Sequence, residues 1–249
     1  MRWLKILTLA VLAMFCGPLG FAALGDAQLA ADWRTASRES AGIAPDPATT
    51  PEAVVQIYAA RAFNWRGAFA VHTWVAVKPE NAPDFVVMHV IGWRHFHGAS
   101  PVAIGRDVPD RRWYGNLPEI ILDMRGPEAQ AVIPKIIAAA RSYPYADFYR
   151  TWPGPNSNTF VAHIGRSVPE LRLSLPATAI GKDWTAQEGL IAKAPSNTGY
   201  QLSLFGLLGV LVAAEEGVEL NLLSLTFGID PTGPALKLPG IGRLGWGAG

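Results

Sequence analysis

GAFAVHTWVAVKPENAPDFVVMHVIGW, residues 67–93, is the stretch whose reading decides the fold. Two runs rich in Val and aromatic residues flank PENA at 79–82, a pattern that predicts a β-hairpin. With PENA as a four-residue loop, Lys78 faces Pro83, and stepping back from that pair sets His72 opposite His89. Directly opposed residues share a face, with Cβ atoms about 5 Å apart. An even change of register keeps both imidazoles on one face, and an odd change separates them. The hairpin therefore predicts an antiparallel sheet on which two histidines converge, in a stretch otherwise built for burial.

Working outward, EIILDMR at 119–125 reads as a third strand. Gly126-Pro127-Glu128 then opens a helix to about residue 142, with Ala129, Val132, Ile133, Ile136, Ile137 and Ala140 inward and a kink at Pro134. Upstream, Thr49-Thr50-Pro51-Glu52 carries a helix-start signature and predicts a helix to about Asn64. Downstream, YPYADFYRTWPGPNSN is a turn-rich approach to a short helix over 157–166, and RSVPELRLSLPATAIGKDW is a connection. GYQLSLFGLLGVLVAAEEGVELNLLSLTFGID reads as another pair of apolar strands joined at AEEG. Its first run, 202–214, is too short for a spanning helix. This order predicts the α+β class: an antiparallel sheet with packed helices, forming a single domain over residues 49–249 behind a polar linker at 28–48.

Half of the 249 residues are hydrophobic and 16% are charged. A typical domain carries about a quarter charged residues, so this composition suits a buried core or lipid contact and excludes a disordered chain. The net charge is +1 with scattered Lys and Arg, which leaves no footprint for a nucleic-acid partner. At the N-terminus Arg2 and Lys5 precede the apolar residues 6–15, and small residues follow near Gly25 and Ala27. Residues 1–27 thus read as a signal peptide or an N-terminal membrane anchor, and the chain as exported to the periplasmic side of the inner membrane. Cys16 is the only cysteine, and Phe15 before it breaks a lipoprotein box. The exported part then has no thiol, which excludes disulfides and a cysteine nucleophile.

Five histidines remain for chemistry, at 72, 89, 95, 97 and 163. His95 and His97 form an H-x-H pair without a third ligand nearby, so no metal is expected. His163 falls inside the predicted helix and reads as core or surface. Asn156, Ser157 and Asn158 before an apolar run are a helix-cap signature. The same place lies at the positive end of a helix dipole, which stabilises a developing alkoxide and offers amide donors to an oxyanion. Trp74 shares the strand face of His72 and would line a groove or pack in the core. Nothing in the chain requires a cofactor.

HTWVAVKP, YPY, PGPNSNTF, AIGKDW and LPGIGR together resemble an uncharacterised bacterial family, the domain of unknown function 3750, over about residues 50–245. A more distant resemblance is to permuted papain-like proteins of the lecithin:retinol acyltransferase-like group. HTWVAVK is similar to their first strand, with His72 as the base, and His89 matches the polar residue of the second strand. NSNTFV resembles their NC..FV helix start, with Ser157 where the cysteine stands. That resemblance implies a papain-like core in which Ser157 is nucleophile, His72 base and His89 orienter, with Asn156 and Asn158 at the oxyanion and Trp74 in the groove. A serine needs such a base to attack at neutral pH. The expected function is a cell-envelope hydrolase or acyltransferase acting on an amide or ester of an envelope peptide or lipid. The alternative is a non-catalytic envelope protein that binds lipid or a membrane partner through a degenerate cleft or its apolar C-terminal hairpin.

Overall fold

A computed structural model describes residues 2–23, without the side chains of 2–11 and 13, and residues 32–245. The cleavage points near Gly25 and Ala27 lie outside the described residues. The fold is α+β, with two antiparallel sheets. The first takes β1 (Val54–Arg61), β2 (Val71–Lys78), β3 (Val86–Val90), β4 (Val102–Arg106) and β5 (Pro118–Arg125) in the order β4-β3-β2-β1-β5. Its helices are α3 (Gly126–Arg141) and α4 (Ser157–Ser167), with a short α2 (Gly92–Phe96) after β3 and α1 (Arg2–Ala23) at the start.

The hairpin, the third strand and both later helices form as expected. The helix predicted over 49–64 is instead β1, an interior strand, paired with β2 on one side and β5 on the other. Val54 to Ala60 are buried without a break. A strand covered on both faces reads as a continuous apolar run, which periodicity cannot tell from a buried helix. The β-branched Val54, Val55 and Ile57 favour the extended form.

Alternation along β2 separates two cores. Val71, Val75 and Val77 pack with Val132, Ile133 and Ile136 of α3 and with Phe160, Val161 and Ile164 of α4. Trp74 and Ala76 point to the other face, where they meet Tyr58, Phe85 and Val87. That second face is roofed by the β4–β5 connection, and residues 37–44 are pinned onto the roof. Asp110 accepts from Ser40 Oγ and from the backbone N–H of Ile43 and Ala44.

The second sheet is a meander: β6 (Ile191–Lys193), β7 (Gly199–Leu204), β8 (Leu208–Ala213), β9 (Gly217–Leu222), β10 (Leu225–Asp230), β11 (Ala235–Leu238) and β12 (Gly242–Gly245). The expected joint at AEEG holds, between β8 and β9. The run 202–214 is two strands rather than one, because Phe205 and Gly206 turn back through positive φ. The sheet is patterned inside out. Gln201, Ser203, Glu219, Asn221, Thr226 and Lys237 are buried, while Ile191, Leu202, Val210, Leu220, Ile229, Leu236 and Leu244, one from each strand, are exposed.

The buried polar face closes over Lys182 and Asp183. Lys182 Nζ donates to Glu219, and Lys237 Nζ donates to the other Glu219 oxygen at 2.6 Å. Asn221 Nδ2 donates to Asp183 at 2.8 Å. Burial works against charge on Lys182, but Asp183 and Glu219 outweigh it and hold its pKa raised. Burial likewise opposes charge on Glu219, and Lys182 and Lys237 overcome it. The clamp fixes the second sheet to the chain just after α4.

Candidate functional site

The observed hairpin pairs Val77 with Val86 and Val75 with Met88, two residues off the predicted register. The shift is even, so His72 and His89 stay on one face. Their ring centroids are 5.7 Å apart, and Trp74 lies 5.7 Å from His72. Trp113, from the β4–β5 connection, stacks on His72 at 3.5 Å with the planes 6° apart. Trp74 Nε1 donates to Pro109 O at 2.7 Å and its ring stacks on Tyr58. Trp74 is therefore a core residue with a satisfied N–H, not a groove wall. His72 is buried beneath the aromatic roof with His89 half-buried beside it, and His72 Nε2 is buried without a hydrogen-bond partner.

Burial holds His72 well below the usual imidazole range, with His89 adding to the effect. Burial also lowers His89 to about 4. Unfolded, both titrate near pH 6.5. Between that value and about 4 the unfolded chain binds more protons, so stability falls as pH falls through this window. Urea midpoints compared at about pH 7.5 and about pH 5 should show the loss. His89→Gln should remove part of the slope, while His72 and His163, both also lowered by burial, keep the rest. A midpoint independent of pH would show that the imidazoles take up protons without opening the roof.

Ser157 is on the other side of the sheet. Thr73, between His72 and Trp74, points at α4 and donates to Asn158 Oδ1 at 2.9 Å, with Ser157 O 3.4 Å away. The predicted assembly of Ser157 with His72 as base and His89 as orienter is thus corrected. α4 covers the β2 face that carries Val71, Thr73 and Val75, and period-2 alternation sends both histidines away from it. The strand side chain that meets the start of α4 is a threonine, which is no general base.

The asparagines are structural as well. Asn156 is the N-cap: its side chain accepts from the N–H of Asn158 and Thr159, and Thr159 Oγ1 accepts in return from Asn156 N–H at 3.1 Å. Asn156 Nδ2 donates to Thr151 O and Ile180 O, and Asn158 Nδ2 to Val71 O and Ile180 O. Thr159 Oγ1 donates to Gly181 O at 2.7 Å. NSNT and AIGK are therefore two halves of one lock. Gly181 has φ +101°, and a Cβ there would sit 2.5 Å from Asn156 Nδ2, so only glycine fits. The approach contains two cis peptide bonds, Trp152-Pro153 and Gly154-Pro155. With their donors and acceptors spent on backbone and on the Thr73 hydroxyl, Asn156 and Asn158 have none aimed at a substrate.

His95 and His97 lie on and just after α2, and His97 Nδ1 is 2.7 Å from Trp93 O. Among the described residues no group of three or more His, Cys, Asp or Glu side chains is placed to hold a metal. His163 Nε2 meets Ala139 O at 3.1 Å and ties α4 to α3. Among the described residues no helix is long and apolar enough to cross a membrane.

Two features were not placed by the sequence reading: Thr73 at α4, and the outward direction of the apolar C-terminal strands. Thr73 needed knowledge of which β2 face α4 covers. The exposed apolar face left a signal in YQLSLF and GVELNL, where polar and apolar residues alternate, but alternation does not say which set points outward. A family model described as "Protein of unknown function (DUF3750)" matches residues 52–184. No curated protein and no solved structure matches the chain.

Proposed function

The chain belongs to the DUF3750 family, whose description assigns no activity, and from its own geometry we propose a non-catalytic envelope protein that seats on a lipid surface. The observation that carries this reading is the outer face of the second sheet. Monomeric soluble proteins rarely expose a contiguous apolar patch of more than a few hundred Å2, and larger ones mark partner or membrane contacts. Here the apolar set spans all seven strands, opposite a face whose polar groups are buried.

Strand length decides the mode of contact. The strands have 3 to 6 residues, and a spanning strand needs about 9–11. The face is suited to entering one leaflet, not to crossing the bilayer. At its β6 edge Lys193 pairs with Tyr200, and both are exposed. Such side chains combine an apolar body with a polar tip, the chemistry of a membrane–water boundary. At the other edge the β11–β12 turn touches α1, with Gly17 and Pro18 against Pro239 and Gly240. α1 exposes Leu12 and Leu19, so the apolar sheet continues into an apolar helix. Read as an export signal or anchor, that helix puts the chain in the envelope.

The hydrolase or acyltransferase reading lacks a base beside Ser157, and fluorophosphonate should leave Ser157 unlabelled. Cys16→Ser gives a cysteine-free chain into which Leu220→Cys can be introduced and labelled with a polarity-sensitive dye. The dye should shift to the blue when phospholipid vesicles are added, and a dye at exposed Asp46→Cys should not. A shift that occurs without vesicles, through a second copy of the chain, or no shift at all, would overturn the reading.

A further inference from the structure

A second exposed patch adjoins this sheet, built from two segments far apart in sequence. α2 carries Trp93, Arg94, His95 and Phe96, and the residues before α4 include Phe148, Tyr149, Arg150 and Trp152. The two are packed together: Phe96 meets Tyr149 edge-on at 6.2 Å, His95 meets Phe148 at 6.2 Å, and Ser100 Oγ donates to Ala146 O at 2.6 Å. Even so, Trp93, Phe96, Phe148 and Trp152 remain exposed, Phe96 at 72%. A hydrophobic core has no use for aromatics so placed.

The patch is joined to the apolar sheet by a direct bond. Trp152 Nε1 donates to Leu223 O at 3.2 Å, in the turn between β9 and β10. Leu223 is itself exposed and holds φ +52°, a conformation uncommon for leucine. The neighbouring turn adds exposed Phe205, and the two turns are tied by Ser224 Oγ donating to Gly206 O. One surface thus runs from α2 through Trp152 to the end of the second sheet.

Its charge differs from that of the sheet. Arg94 donates through Nε to the Ser100 carbonyl, and Arg150 lies 5.6 Å over the Phe148 ring. The ion pairs among the described residues engage other arginines. The acidic residue in the same segment is Asp147. Aromatic rings beside arginines match the headgroup layer of a bilayer, where Trp anchors at the interface and Arg attracts anionic phosphate.

We propose that α2 and residues 147–152 form a headgroup-binding patch that gives the chain a preference for anionic phospholipid. This rests on the reading of the second sheet as the lipid-seated face. The patch sets which lipid is bound and how the sheet is oriented on it, with Arg94 and Arg150 on phosphate and Trp93, Phe96 and Trp152 at the boundary.

The test is flotation of the full chain with vesicles of phosphatidylcholine alone and with about a third phosphatidylglycerol. The wild type should float with both, more strongly with the anionic vesicles, and added salt should narrow the difference. Arginine near an anionic surface is worth about fivefold in partition, so Arg94→Gln with Arg150→Gln should lower the anionic preference by more than tenfold. Binding to phosphatidylcholine should not change. Trp93→Ala with Phe96→Ala should weaken binding to both vesicles, with thermal unfolding unchanged because the rings are exposed. Equal wild-type binding to the two vesicles, or a preference that survives the arginine variant, overturns the patch and leaves the sheet reading standing. Failure to float with either vesicle overturns both.

Discussion

Glu219→Ala should lower the melting temperature by about 10 °C or more, the largest effect of any single change at the polar face of the second sheet. The Glu219 side chain is 2% exposed and bridges two ammonium groups that are themselves buried, those of Lys182 and Lys237. Deleting it leaves both cations out of water, with Asp183 at 3.3 Å from Lys182 as the remaining carboxylate contact of that lysine. Breaking a buried pair in this way costs about 3–5 kcal/mol, a large part of the 5–15 kcal/mol that holds a domain together. Replacing Lys182, Glu219 and Lys237 together by apolar residues of similar volume should cost far less, because no charge is then stranded. A thermal melt of Glu219→Ala within a degree or two of wild type would mean that water reaches the clamp.

The loss should also vary with pH in a defined way. The lysines depress Glu219, so its contribution is present above the ordinary carboxylate range and disappears as pH falls through its lowered pKa. Lys182 is raised, so its contribution is present below the ordinary lysine range and disappears only as pH rises through the raised value. The clamp is therefore intact across neutral pH. The consequence for function is mechanical. Lys182 and Asp183 hold the polar side of the second sheet, and its apolar side is thereby held outward whether or not lipid is present.

How far the sequence could be read depends on which physical signal each element leaves. The β2–β3 hairpin, β5, α3 and α4 were legible because each carries its own period or its own turn chemistry. β1 was not, since burial of Val54 to Ala60 on both faces erases the alternation that marks a strand. His72 and His89 were placed on one face correctly although the register was off by two, because faces depend only on parity. The pairing of His72 with Ser157 failed for a related reason. A strand's sequence tells which residues share a face, not which face a helix seventy-odd residues later will cover, and α4 chose the side of Thr73. The second sheet shows the limit in another form. Leu202, Val210 and Leu220 alternate with buried Gln201, Leu211 and Glu219, and a reader expecting apolar residues inside assigns the face backwards.

Asn158→Ala, Asn156→Ala and Ser157→Ala should rank in that order of damage to stability, as a start of α4 locked by its asparagines requires. Asn158 is 2% exposed and spends its amide on Val71 O at 3.0 Å and Ile180 O at 2.7 Å, while accepting from Thr73. Its truncation leaves a buried carbonyl on β2 unpaired, at about 1–3 kcal/mol, and reduces the Thr73 hydroxyl to its longer bond to Ser157 O at 3.4 Å. Asn156→Ala removes the cap, worth about 1 kcal/mol, together with the bonds to Thr151 O and Ile180 O. Ile180 O keeps its bond from Asn158, which limits the damage. Ser157 sits just inside the cap, and what it offers the sheet is its backbone carbonyl, which alanine retains. Ser157→Ala should then stay within about 0.5 kcal/mol of wild type. Chemical denaturation of the three variants gives the order directly. A nucleophilic Ser157 would leave this stability order unchanged and would show itself in activity instead, alanine there abolishing every turnover. Because Thr73 rather than an imidazole faces that helix end, the expected result is the stability order alone, with lipid binding unchanged in Ser157→Ala.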